Sequence, residues 1–62
     1  MINFIKDGKK YDVELNGENY GNLEFNEERK TWVLWPNNID DGIDYFESLE
    51  ETQAAIKDEL TK

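Results

Sequence analysis

Apolar and polar residues alternate along the first half of the chain, the period-two signature of strands covered on one side. The clearest run is Thr31-Trp32-Val33-Leu34-Trp35-Pro36, which holds both tryptophans and the only proline. β-Branched and aromatic side chains fit a pleated surface, and a proline that cannot donate to a ladder ends the run. Alternation puts Trp32 and Leu34 on one face, Val33 and Trp35 on the other. A chain of 62 residues has too few apolar groups to clothe both faces. One indole is therefore expected in the core and the other near solvent; the exposed one is Trp35 if the helix covers Trp32 and Leu34.

Upstream, Asp7-Gly8 lies between two alternating runs and reads as a two-residue hairpin loop of type I′. That loop sets Lys6 opposite Lys9, Phe4 opposite Tyr11 and Ile2 opposite Val13 on one face. Asn3, Lys10, Asp12 and Glu14 fall on the reverse, with Ile5 as an apolar exception. Asn16-Gly17 ends the second strand. A regular ladder across a two-residue turn there would send Leu23 and Phe25 to the wrong side. Either a β-bulge at Gly21 or a longer loop over 16–21 is needed to shift the phase by one. A tight turn at Glu28-Arg29 then pairs Phe25 with Trp32 and Leu23 with Leu34.

Beyond Pro36, Asn37 and Asn38 mark a loop, and 42–46 reads as a short extended segment. Ser48-Leu49-Glu50-Glu51 has the form of a capping box. At 100° per residue, Leu49, Gln53, Ile56 and Leu60 form one helical stripe flanked by Thr52, while Glu50, Glu51, Ala54, Lys57 and Asp58 face away. Asp58 and Glu59 oppose the macrodipole in the last turn, so the helix is expected to fray after about Leu60. The predicted fold is α+β: one domain over 1–62, a small antiparallel meander of three to four strands with one C-terminal helix packed on one face.

Composition narrows the chemistry. The chain has no cysteine and no histidine, which removes disulfides, the usual soft-metal ligands, Cys or His nucleophiles and imidazole bases. Asp40-Asp41-Gly42 looks like part of an EF-hand loop, but the spacing fails: the third position becomes Ile39 and the twelfth Ser48, where a bidentate Glu is required. Pairs of carboxylates are expected by chance among fifteen acidic residues, and so small a domain is expected to have little room for a pocket of ~300 Å³. No enzyme, metal or cofactor is expected. No stretch approaches the ~20 apolar residues of a membrane span, and a soluble cytoplasmic protein is the default.

Fifteen acidic residues against seven basic give a net charge of -8, which disfavours direct contact with nucleic-acid phosphates. Three strands followed by a helix resemble small DNA-binding modules that read a groove with the sheet face. Such a reader needs Lys or Arg on that face, whereas here the positions are mostly Asp and Glu. Between Lys30 and Lys57 there is no basic residue, while Asp40, Asp41, Asp44, Glu47, Glu50 and Glu51 fall in the interval. Charge runs usually serve solubility, but strong negative fields also speed association with basic surfaces.

The candidate partner-binding surface is Trp35 and Val33 beside Asp12, Glu14 and Glu24, extended by Asp40, Asp41, Asp44 and Tyr45. The residues leave two readings open: an aromatic anchor in an acidic surround, or a small second cluster of Trp35 with Tyr45, Phe46 or Ile39 that merely closes the domain. The first makes the chain an inhibitor or adaptor docking on a basic site of a partner protein, as a nucleic-acid mimic would, and suits a mobile-element or viral origin. The alternative is a structural homodimer paired through the open sheet face or a strand edge.

Overall fold

The computed structural model describes residues 1–38 and 40–61. Five strands run in chain order through one antiparallel sheet: β1 (Ile2–Asp7), β2 (Lys10–Leu15), β3 (Glu18–Asn26), β4 (Thr31–Pro36) and β5 (Ile43–Asp44). A single helix, α1 (Leu49–Leu60), follows. The meander with a C-terminal helix is as the alternation predicts, with the extended segment after Gly42 supplying the short fifth strand.

The first hairpin differs in detail. Its loop is Gly8-Lys9, closed by Asp7 opposite Lys10, so Lys6 faces Tyr11, Phe4 faces Val13 and Ile2 faces Leu15. Gly8 has φ +65° while Lys9 stays negative, the type II′ pattern with glycine first. The expected register opposed Lys6 to Lys9; the observed one opposes Asp7 to Lys10, replacing a like-charge pair with an attractive one. The slip is of two residues, so every side chain keeps its predicted face.

The second hairpin combines a tight turn with a phase shift. Asn16 and Gly17 have φ 54° and 85°, both positive as a type I′ turn requires, and Leu15 pairs with Glu18. Glu14 then pairs with Asn19 but Val13 with Gly21, leaving Tyr20 as the extra residue of a β-bulge. The bulge is tied down by Asn37. Its amide donates to the Tyr20 carbonyl at 2.9 Å, and its side-chain nitrogen donates to Asn19 O at 3.1 Å and Oδ1 at 2.6 Å.

Beyond the bulge, Phe25 pairs with Trp32 and Leu23 with Leu34, as predicted, around the loop 27–30. Asn26 Oδ1 accepts from the amides of Glu28 (2.9 Å) and Arg29 (3.0 Å), and Lys30 in the left-handed region (φ 54°) turns the chain back. β5 continues the ladder, with Val33 opposite Asp44 and Leu34 opposite Ile43.

Helix α1 covers one face only. Ser48 caps it, its hydroxyl accepting from the Glu51 amide at 3.4 Å. Ile56 is buried and Leu49 and Leu60 half-buried against Ile2, Val13, Leu23 and Leu34. Thr52, predicted at the edge of the stripe, is fully buried. Its hydroxyl donates to Ser48 O at 2.8 Å and accepts from the Phe46 amide at 3.3 Å, satisfying a polar group that burial alone would penalise. Trp32 packs edge-on against Tyr11 and Phe25, with ring centroids 5.9 and 5.5 Å away. Among the described residues no helix is long and apolar enough to cross a membrane.

Gly21 admits no side chain. A Cβ there would run into the Trp35 carbonyl oxygen and lie 2.8 Å from Pro36 Cα, main-chain atoms that cannot step aside. Gly21→Ala is expected to lower the unfolding free energy by about 2–3 kcal/mol, as over-packing against a rigid neighbour does. Denaturant titration checks it; an unchanged midpoint would mean that the β3–β4 contact is looser than described.

Candidate interaction surface

The face opposite α1 is built by alternation from all five strands. One cross-strand row is Ile5, Asp12, Asn22 and Trp35; the next is Asp7, Lys10, Glu24, Val33 and Asp44. Asn3, Glu14 and Asn19 form a third. Trp35 is 41% exposed and Ile5 45%. Asp12 and Glu14 are half-buried, while Glu24 and Asp44 are exposed. The indole that meets solvent is therefore Trp35, set among carboxylates on an uncovered sheet face.

Val33 departs from the expectation. It points to the open side but is only 3% exposed, because the chain before β5 folds back over it. Gly42 lies against Val33 and 3.1 Å, measured from an added Cβ, from the six-membered ring of Trp35. Val33 is thus sealed beneath Gly42, with no surface left for a partner to touch. Asp41, exposed, joins Trp35, Gly42, Asp44 and Arg29 around an open depression of about 420 Å³. Asp40 is exposed beside them in sequence. A second open depression of about 400 Å³ lies at Asp7, Lys9, Lys10, Glu24 and Phe25.

Tyr45 belongs elsewhere. It packs with the core on the helix side, and its hydroxyl donates to Glu59 Oε2 at 2.9 Å. The cluster of Trp35 with Tyr45 is therefore not formed. Phe46 is 47% exposed, and Ile39, named both for that cluster and for the third EF-hand position, lies outside the described residues. Ser48, at the twelfth EF-hand position, is the helix cap. Among the described residues no three carboxylates converge as a metal cluster would require.

Arg29 is the residue that sequence reasoning missed. Its Nη1 donates to Asp44 Oδ2 at 2.5 Å, bringing the β3–β4 loop beside β5. The side chains are 62% and 43% exposed, so the pair is screened and adds little stability, but it neutralises one acid of the face. The signal lay in the pairing: once β5 is placed beside Val33, the loop after Asn26 stands next to Asp44. Thr31 Oγ1 is buried near this end with no hydrogen-bond partner among the described residues.

Comparison with family models, with curated proteins and with solved structures returned no match.

Burial, the hydrogen bond to Glu59 and the charge of that carboxylate, in that order, hold the Tyr45 hydroxyl well above its usual pKa near 10. The unfolded chain releases this proton near pH 10 and the folded chain keeps it, so stability falls as pH rises above about 10. Tyr45→Phe is expected to flatten this alkaline loss relative to the parent. Thermal unfolding of both between pH 8 and 11 checks it; parallel slopes would mean that Tyr45 ionises alike in both states.

Proposed function

We propose that the chain is a non-enzymatic, acidic interaction module that docks its open sheet face onto a basic site of a partner protein, in the cytoplasm, as an inhibitor or adaptor. The observation that carries this is the 41%-exposed Trp35, which packs against Gly42, lines a depression with Asp41, Asp44 and Arg29 and shares the open face with Asp12 and Glu24. An aromatic anchor with two rotatable side-chain angles is a frequent hot spot in protein interfaces. A surrounding field of like charge steers an oppositely charged partner and sets the register of docking. The absence of His and Cys from the sequence favours binding over catalysis.

The partner is proposed as a protein whose basic site otherwise holds nucleic-acid phosphates, since fixed carboxylates on a rigid sheet present the same charge without a flexible backbone. Direct nucleic-acid binding by this chain is disfavoured by its net charge of -8.

The test is affinity capture from the source cells, followed by titration of the purified partner. Affinity is expected to fall steeply between 50 and 300 mM salt, concentrations chosen to bracket the range where screening grows. Trp35→Ala is expected to weaken binding by roughly 30-fold or more, the size of a hot-spot truncation. Glu14→Lys with Glu24→Lys is expected to weaken it further and to slow association. A complex indifferent to salt and to these substitutions would show that the open face is not the docking surface.

A further inference from the structure

The two ends of the sheet are finished differently. β5 contributes two residues, its pairing with β4 ends at Tyr45 and Phe46, and the helix begins three residues later, so that edge is blunted by brevity. β1 runs for six residues, Ile2–Asp7, in unbroken register with β2, without proline or bulge. Its outward main-chain groups follow from the hairpin. Asp7 closes a two-residue loop with Lys10, and the Asn16 amide donates to Met1 O at 2.9 Å, so the odd-numbered residues bond to β2. The N–H and C=O groups of Ile2, Phe4 and Lys6 therefore point away from the sheet. No hydrogen bond from another described residue reaches them.

We infer that this edge pairs with β1 of a second copy, antiparallel, about a two-fold axis through Phe4. The strand is self-complementary in that register. Phe4 stands opposite Phe4 of the other copy and Ile2 opposite Lys6, all with outward main-chain groups, so each pair exchanges two main-chain hydrogen bonds. Asn3 stands opposite Ile5, and no like charges face one another. Moving the axis to Lys6 would oppose lysine to lysine. Lys6 and Asp7 are the only charged side chains of β1, so the pairing joins the nearly neutral margins of two chains that each carry -8. An isologous contact of this kind closes at two copies and leaves the blunted β5 edges outside. With the axis normal to the sheet, both helices lie on one side and both acidic faces on the other. The inference does not rest on the proposed function; where both hold, the partner meets one continuous ten-stranded acidic surface.

Main-chain pairing over a short edge is a small contact, so the dimer belongs to concentrations on the order of 0.1–1 mM. The experiment is amide hydrogen exchange and sedimentation of the full chain at about 1 mM and after roughly 50-fold dilution, a span that crosses that range. Expected are a dimer mass at the higher concentration and slowed exchange at Phe4 and Lys6 that is lost on dilution. The amides of Asn3 and Ile5, bonded to β2, stay slow throughout. Salt is expected to strengthen the dimer by screening two negative chains, opposite in sign to its effect on a basic partner. Lys6→Pro removes one outward donor and no bond to β2, and is expected to give a folded monomer. A full chain that stays monomeric, a dimer with rapidly exchanging Phe4 and Lys6 amides, a dimer weakened by salt, or a folded Lys6→Pro chain that dimerises like its parent would each overturn the inference.

Discussion

Tyr20 is an extra residue in β3, and because side chains alternate along a strand, its insertion decides which side of the sheet Leu23 and Phe25 face. Gly21 beside it allows β3 to come against the Trp35 carbonyl and Pro36 without a Cβ in the way. Asn37 holds the bulge from outside, with its amide on the Tyr20 carbonyl and its side chain on Asn19. Without the shift, Leu23 would leave the core, and Leu34, its neighbour across the ladder, would lose its cover; Phe25, on the same face, pairs with Trp32 at the margin and stays 37% exposed. The burial of Leu23 and Leu34 and the exposure of Trp35 are thus consequences of one local irregularity.

That phase meets a limited supply of apolar residues. Ile56, Leu49 and Leu60 on α1 suffice to cover Ile2, Val13, Leu23 and Leu34, and Thr52 ties the helix to the segment after β5 by accepting from the Phe46 amide. Among the described residues no second helix covers the opposite face. Only the chain before β5 reaches it, and there Gly42 seals Val33 while leaving Trp35 partly open. The result is a sheet with a dry side and a wet side. The wet side carries acidic strand residues that self-repel weakly in solvent yet keep the face from aggregating.

Much of this was legible in the residues. The alternation of Trp32, Val33, Leu34 and Trp35 grouped them by face, the phase conflict at Leu23 and Phe25 called for a bulge or a longer loop, and Ser48 to Glu51 marked the helix start. The failures have physical sources. Asp7-Gly8 and Gly8-Lys9 are both acceptable loops by local chemistry, and the choice turned on whether Lys6 faced Lys9 or Asp7 faced Lys10 across the turn. Val33 and Tyr45 were misplaced as contact residues because a two-residue strand, β5, decides what folds over one and on which face the other lies. Arg29 was missed for the same reason: its partner Asp44 is brought near only by that strand.

Trp35 stands half-open on a negative face, while Trp32 packs against the core on the helix side. Collisional quenching of tryptophan fluorescence in Trp32→Phe and Trp35→Phe tests it most directly, using caesium and iodide as quenchers of opposite charge. In Trp32→Phe, the remaining Trp35 should be quenched readily by caesium and much less by iodide; in Trp35→Phe, the remaining Trp32 should respond weakly to either. A Trp35 as protected as Trp32, or one quenched more by iodide than by caesium, would contradict the account.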